Sequence, residues 1–212
     1  MGGNTAGGGD TESVNVITCK CEKTIEIDIP DRYNLSEQPQ ILEEILDGTF
    51  LTIECPYCGI QLKPELQITV FDSETGLDIL VVPEKERSKY FLDPSSFGDH
   101  NRVAIGYPEL VEKMRMHKAD LSDRVVELIK YLLYAKSGGG TSVAIRFGGV
   151  EGSKLLFEIH GVRDQEIGIA RISADFYDRM SQELPKRETE EPFDTILAPP
   201  YVSLTKVELE GY

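Results

Sequence analysis

The sequence predicts an α+β protein, and three observations support this fold class. In several short segments apolar residues alternate with polar ones, as is typical of strands, and these segments are 14–16, 25–29, 51–53 and 66–70. Elsewhere apolar residues recur at helical spacing, at 41–46 and 121–133. Four cysteines form two close pairs, each after a strand-like segment. We therefore expect two β-hairpins with an inserted helix and trailing helices, followed by a small C-terminal α+β unit.

The two cysteine pairs are predicted to lie at the tips of the two hairpins. In the first hairpin, residues 14–16 lead into a cysteine pair and residues 25–29 lead away from it. In the second hairpin, residues 51–53 lead into the other pair and residues 66–70 lead away. The chain would then present all four thiols on two neighbouring turns.

The spacing of the cysteines predicts a four-thiolate zinc site. In the second pair, Cys55-Pro56-Tyr57-Cys58-Gly59, the proline fixes φ after the first thiol and the glycine can turn backbone amides towards the sulfurs. In the first pair, Cys19 and Cys21 are separated by one residue, Lys20, so in an extended strand both side chains point to the same face. A disulfide between those two would be badly strained. The sequence therefore predicts one structural Zn²⁺ per chain, with Cys19, Cys21, Cys55 and Cys58 as ligands.

A helix is predicted between the hairpins. Its apolar stripe consists of Ile41, Leu42, Ile45 and Leu46. Ser36 or Gln38 can cap its start, and Gly48 is expected to end it, because glycine readily adopts the left-handed conformation found after many helices. Two hairpins with cysteines at both tips follow the plan of a zinc ribbon, here with this helix inserted.

These motifs resemble the CpXC domain family, a bacterial and archaeal module. The resemblance rests on both cysteine pairs, on Asp47-Gly48-Thr49-Phe50, and on the later segments Leu110-Val111-Glu112-Lys113 and Ser122 to Lys130; it covers residues 14–135. The family pattern has two Cys-Pro-x-Cys motifs, whereas Cys19-Lys20-Cys21 is one residue shorter and lacks the proline. The resemblance implies a metal-binding module, and it implies no enzymatic activity.

Composition and charge favour a soluble, acidic protein. The 212 residues carry a net charge of −15, which repels phosphate backbones and disfavours binding to nucleic acid. No apolar run is long enough to span a bilayer, and the glycine-rich start lacks the features of a signal peptide. Closely spaced thiols without a secretion signal lead us to expect a cytoplasmic location. Residues 1–12, with five glycines, are expected to be a disordered tail.

Between the hairpins and the C-terminal unit, the sequence predicts a short strand at 79–82, an irregular stretch at 84–107 and two helices. One helix begins at Pro108, and the stronger one runs from Leu121 to Ala135 with Asp120 as its cap. We interpret the Glu127–Lys130 pair in it as part of a solvated face. The alternative is that Asp123, Arg124 and Glu127 mark an interaction surface.

The segment Ser137-Gly138-Gly139-Gly140-Thr141 is predicted to link two domains, a zinc-binding domain at 14–136 and a small α+β unit at 142–210. In the second unit we expect strands at 143–147, 155–159 and 167–172, a helix capped by Ser173 and closed by Pro185, and a last strand at 201–209.

The sequence favours the function of a non-catalytic zinc module that presents a surface to an unidentified protein partner. One alternative is a thiol–disulfide oxidoreductase that uses Cys55 and Cys58, because Cys-Pro-Tyr-Cys also occurs in dithiol glutaredoxins; the helix that should follow the motif is missing. A second alternative is a nucleic-acid-binding ribbon, which the net charge disfavours. His100, His117 and His160 are expected to be surface or satisfied residues, and no catalytic residues are predicted.

Overall fold

The computed structural model describes residues 14–138, 140, 143–163 and 165–209. The predicted tail at 1–12 and three residues in or next to the predicted linker (139, 141 and 142) lie outside the described residues. The described part contains both helices and small antiparallel and mixed sheets. The predicted α+β class is therefore confirmed.

The first hairpin and the inserted helix form as predicted. Strands β1 (Val14–Thr18) and β2 (Thr24–Asp28) pair antiparallel, and a short strand β3 (Arg32–Asn34) follows. Helix α1 (Gln40–Asp47) ends at Gly48, whose φ of 84° is left-handed. Neither predicted cap is used, because Pro39 occupies the capping position and the Ser36 hydroxyl donates to Asp72 instead.

The second hairpin differs from the prediction. Its arms are the short strands β4 (Ile53–Glu54) and β5 (Gln61–Leu62), not a strand from 66 to 70. That later segment begins β6 (Ile68–Asp72), which lies inside a four-stranded sheet. Ile68, Thr69 and Val70 are all buried, so this strand is covered on both faces. The alternation of apolar residues predicts a strand correctly but does not say which partner it pairs with.

The four-stranded sheet has the order β3-β6-β7-β8, with β7 at Leu77–Val82 and β8 at Arg102–Ile105. Strand β7 pairs antiparallel with β6, whereas β3–β6 and β7–β8 are parallel pairs. Strand β8 lies in the stretch that the sequence predicts to be irregular. Its apolar run is only three residues long, which is too short for periodicity to distinguish it from a loop.

Three helices follow or flank this sheet. Helix α2 (Arg87–Leu92) lies between single helical turns at 84–86 and 94–97. Helix α3 (Tyr107–Lys118) carries Pro108 in its first turn, as predicted. Helix α4 (Asp123–Lys136) begins after Ser122 rather than after Asp120, which has a φ of 52°.

The C-terminal unit contains the three predicted strands in the order β11-β10-β9: β9 is Ala144–Glu151, β10 is Lys154–Arg163 and β11 is Glu166–Ser173. Helix α5 (Ala174–Arg187) is capped by the Ser173 hydroxyl, which accepts from the Phe176 amide at 3.3 Å. Pro185 lies inside this helix instead of closing it.

The last segment is not a strand. Short helices α6 (Phe193–Ile196) and α7 (Thr205–Leu209) are separated by residues 199–204, which have no regular secondary structure and are called the C-terminal stretch. Residues 201–204 are buried one after another, and the Pro200 carbonyl accepts a hydrogen bond from the Val103 amide of β8 at 3.0 Å. The prediction of a strand at 201–209 is therefore wrong: the C-terminal stretch packs against the edge strand β8 without joining a sheet, and a helix follows it.

Two main hydrophobic cores organise the molecule. One lies between the first hairpin, α1, α3 and the four-stranded sheet. The other contains α4, the three-stranded sheet, α5 and α6. Helix α4 therefore packs mainly with elements that follow it in the chain, although the predicted first domain, 14–136, includes this helix. The domain boundaries at 14–136 and 142–210 stay a prediction. In the part of the chain that the structure describes, no helix is both long and apolar enough to cross a membrane.

Candidate metal centre

The tip of the first hairpin is a tight turn that holds the first cysteine pair. The Cys19 amide donates to the Lys23 carbonyl at 2.9 Å, and the Glu22 amide donates to the Cys19 carbonyl at 2.8 Å. Glu22 adopts a positive φ of 66°, which reverses the chain without a glycine. The turn therefore brings both thiols to the same side, as their spacing predicts.

The second pair lies in the corresponding turn between β4 and β5. The Gly59 amide donates to the Cys55 carbonyl at 2.9 Å, and the Cys55 amide donates to the Ile60 carbonyl at the same distance. Gly59 has a φ of 73°, a left-handed conformation that glycine adopts readily and that allows the predicted turn of backbone amides towards the sulfurs. The two turns share one hydrogen-bond pattern although the first motif is one residue shorter.

The four cysteine sulfurs converge between the two turns. All four Sγ atoms lie within 4.8 Å of one another. Cys19 Sγ is 3.6 Å from Cys58 Sγ, and Cys21 Sγ is 3.8 Å from Cys55 Sγ. Four sulfurs in a tetrahedron around a metal, each about 2.3 Å from it, would be about 3.8 Å apart. The cluster therefore could hold a metal ion, and no second group of three or more potential metal ligands occurs among the described residues.

The surroundings of the sulfurs shift their pKa values in opposite directions. Desolvation opposes ionisation of Cys55, but backbone amides of Tyr57 and Cys58, together with neighbouring thiols, lower the pKa of Cys55 to about 7. The Ile60 amide favours the Cys58 thiolate, yet desolvation and the other sulfurs outweigh it and raise the pKa of Cys58 to about 12. Four thiolates this close together repel one another, so a cation is needed to hold them all ionised.

The chemistry of the donor set fits a structural metal site. Thiolates are soft ligands that select zinc, iron–sulfur clusters or copper(I). Four protein ligands leave no open position for a substrate, which distinguishes structural from catalytic zinc sites. Because binding displaces protons from the thiols, the metal affinity of such a site falls as the pH is lowered.

The histidines are absent from this cluster. His100 lies 3.1 Å from an Asp78 oxygen, and His160 lies 3.2 Å from a Glu158 oxygen. The third, His117, lies 3.4 Å from an oxygen of Asp72. Each histidine thus has a carboxylate neighbour, which agrees with the prediction that they are satisfied residues.

A buried charge cluster between α3 and α4 contradicts the prediction that Glu127 and Lys130 lie on a solvated face of α4. The Lys130 ammonium donates to Glu127 at 2.8 Å and to Glu112 of α3 at 2.9 Å. Only 2% of Glu127 and 5% of Lys130 is exposed. The two carboxylates also accept from backbone amides, Glu127 from Leu204 at 2.7 Å and Glu112 from Phe147. The cluster therefore joins α3, α4, β9 and the C-terminal stretch.

A second charge cluster contains Lys113, the residue that follows Glu112 on α3. The Lys113 ammonium donates to Asp123 at 2.7 Å and to the Val202 carbonyl at 3.0 Å, while Arg102 of β8 also donates to Asp123 at 2.7 Å. Burial disfavours ionisation of Asp123, but Lys113 and Arg102 outweigh it and lower the pKa of this carboxyl. Asp123 and Glu127 are thus engaged inside the molecule, not on an interaction surface.

The sequence carried one signal of this burial. The apolar residues of α4, including Val126 beside Val125, occupy more than one face, which is typical of a helix that is surrounded by other elements. Charges on such a helix must find internal partners, because an unpaired buried charge is very unfavourable.

Comparison with known proteins gives a family and one relative. The family model described as "CpXC protein" matches residues 17–130, more than half of the chain. A protein of Treponema pallidum (strain Nichols), named "Uncharacterized protein", is 26% identical over 213 residues, which cover 90% of this chain and 97% of the relative. No solved structure matches the chain. The matched span includes all four cysteines and both charge clusters' residues on α3 and α4.

Proposed function

Since this chain belongs to the CpXC family, we propose that it is a non-catalytic zinc-binding protein that presents a surface to another protein. One Zn²⁺ per chain would be held by Cys19, Cys21, Cys55 and Cys58. The observation that carries this proposal is the convergence of the four sulfurs within 4.8 Å, because one tetrahedral metal ion accounts for all four thiols at the two turns.

Zinc would act here as a structural ion. Strands β4 and β5 are only two residues long each, so the second turn has little backbone pairing of its own. Such short arms bury too little apolar surface to fix the turn, and a metal that bridges both turns supplies the missing stabilisation.

The surface next to the centre supports a role in protein interaction. Tyr57 lies between two of the proposed ligands and is 63% exposed, and Ile60 follows them and is 42% exposed. Exposed aromatic residues on a rigid turn are common anchors at protein interfaces. We propose that this turn contacts the partner, with the metal holding it rigid.

Thiol–disulfide exchange through Cys55 and Cys58 is the second candidate, and the lowered pKa of Cys55 favours it. Against it, the motif is followed by strand β5, whereas oxidoreductases of that type place the motif at the start of a helix. The gathering of Cys19 and Cys21 around the motif also has no role in a dithiol mechanism.

We expect the purified protein to contain one zinc per chain, measured by elemental analysis of the desalted protein. In the same sample, all four thiols should resist alkylation until a chelator is added, because ligation masks them. A protein with two freely reactive cysteines and no metal would contradict the proposal and favour the dithiol alternative.

We also expect no binding to generic DNA or RNA at physiological salt, because the net charge of −15 opposes association with phosphate backbones. An electrophoretic mobility assay with random duplexes and single strands tests this expectation. A complex that weakens steeply with added salt would overturn it.

A further inference from the structure

The four cysteines differ in accessibility in a way that pairs them. Cys19 and Cys55 are buried, Cys21 is half-buried and Cys58 is exposed. Two sulfur–sulfur contacts, of 3.6 and 3.8 Å, each join one buried cysteine to one that is more accessible, Cys19 to Cys58 and Cys21 to Cys55. Both contacts run between the two hairpins.

Geometry limits how all four thiols can be oxidised together. Four cysteines allow three pairings, and one of them requires a disulfide between Cys19 and Cys21, which is badly strained across a single intervening residue. Of the two pairings that remain, Cys19–Cys58 with Cys21–Cys55 joins sulfurs that are already in contact, at 3.6 and 3.8 Å. Each needs the sulfurs to approach by less than 2 Å to reach bonding distance, about 2.05 Å.

We propose that the centre is a peroxide-sensitive switch, which releases its metal and converts to two disulfides between the hairpins, Cys19–Cys58 and Cys21–Cys55. The metal release rests on the proposed function, whereas the pairing rests on the sulfur positions alone. In the oxidised state the disulfides replace the metal as the connection between the two turns. The two turns therefore stay connected after the ion has left.

The chemistry balances with hydrogen peroxide as the oxidant. The accessible thiolate of Cys58 attacks one peroxide oxygen, so that an S–O bond forms, the O–O bond breaks and hydroxide leaves. The buried thiolate of Cys19 then attacks the Cys58 sulfur, so that the S–S bond forms, the S–O bond breaks and a second hydroxide leaves. Two thiolates have lost two electrons and one peroxide has become two hydroxides. A second peroxide oxidises Cys21 and Cys55 in the same way.

The sequence makes the disulfide pairing easy to determine. Trypsin cleaves after Lys20 and so separates Cys19 from Cys21, and chymotrypsin cleaves after Tyr57 and so separates Cys55 from Cys58. Digestion with both enzymes places each cysteine in its own peptide. Mass spectrometry of the digest, run without reduction, then identifies every pairing directly.

The test treats the metal-loaded chain of 212 residues with hydrogen peroxide, blocks free thiols and maps the disulfides, while a chromogenic chelator records the zinc released. We expect loss of all four free thiols, release of the bound zinc, and Cys19–Cys58 and Cys21–Cys55 as the main linked peptides. A main product linked through Cys55 and Cys58, or through different chains, would overturn the inference.

Two further measurements separate this inference from the proposed function. Zinc content is measured before oxidation, so a metal-free protein with both predicted disulfides would reject the zinc site and the metal release but retain the pairing. A zinc-loaded protein that forms other disulfides would support the zinc site and reject the pairing. In addition, the oxidised, metal-free chain should melt at a higher temperature than the reduced, chelator-treated chain; equal melting would contradict the idea that the disulfides keep the hairpins together.

Discussion

Replacing any one of Cys19, Cys21, Cys55 or Cys58 by serine is expected to remove the zinc and to destabilise residues 14–82 to a similar extent. The four thiolates of a structural site act as one unit, because losing any of them leaves a three-coordinate ion. Structural zinc contributes a folding free energy on the order of 10 kcal/mol in isolated fingers. Zinc content and thermal unfolding of the four variants measure the effect.

The alternative function predicts an unequal pattern for the same variants. In a dithiol oxidoreductase, Cys55→Ser would abolish activity and Cys58→Ser would trap mixed disulfides. The Cys19→Ser and Cys21→Ser variants would then change little. The matched control is Tyr57→Ser, which alters an exposed residue between two ligands and should keep the zinc. Full metal content in the Cys19 or Cys21 variant would show that the four-thiolate site is wrong.

Local signals predicted much of the cysteine-bearing half. The turn at the first cysteine pair, the helix ending at Gly48 and the left-handed Gly59 all follow from residues close together in the sequence. The convergence of the two turns also follows, because thiols at both tips favour one shared ligand. Local signals do not supply strand pairing, and for this reason the prediction that residues 66–70 form an arm of the second hairpin is wrong.

The charged residues of α4 show a different limit of sequence reasoning. Glu127 and Lys130 have the spacing of an exposed helical pair, and nothing adjacent to them indicates their third partner, Glu112. That partner lies on another helix, and the amides of Phe147 and Leu204 come from still more distant segments. Burial of such a cluster is a property of the tertiary fold, and α4 packs at its centre.

Replacing Lys130 with methionine is expected to destabilise the protein by about 3–5 kcal/mol, the usual cost of breaking a buried ion pair by removing one partner. Burial acts against the charge on Lys130, but Glu112 and Glu127 outweigh it and raise the pKa of this residue. Without the ammonium group, two buried carboxylates would face each other. Burial already raises the pKa of Glu127, so one carboxyl would have to take up a proton. Chemical denaturation measures the change in unfolding free energy.

Two further variants show whether the loss comes from the buried charges. Lys89→Met breaks an exposed pair with Glu86, 3.3 Å apart, and should change stability by less than about 1 kcal/mol. Adding Glu127→Gln to Lys130→Met should recover part of the loss, because the amide keeps an acceptor for the Leu204 amide and removes one charge. If Lys130→Met costs no more than Lys89→Met, the cluster does not hold α3, α4 and the C-terminal stretch together. If the two substitutions change the unfolding free energy by strictly additive amounts, the loss in Lys130→Met comes from lost packing instead. Two uncompensated carboxylates would repel each other, so removing one charge would have to change the cost of Lys130→Met.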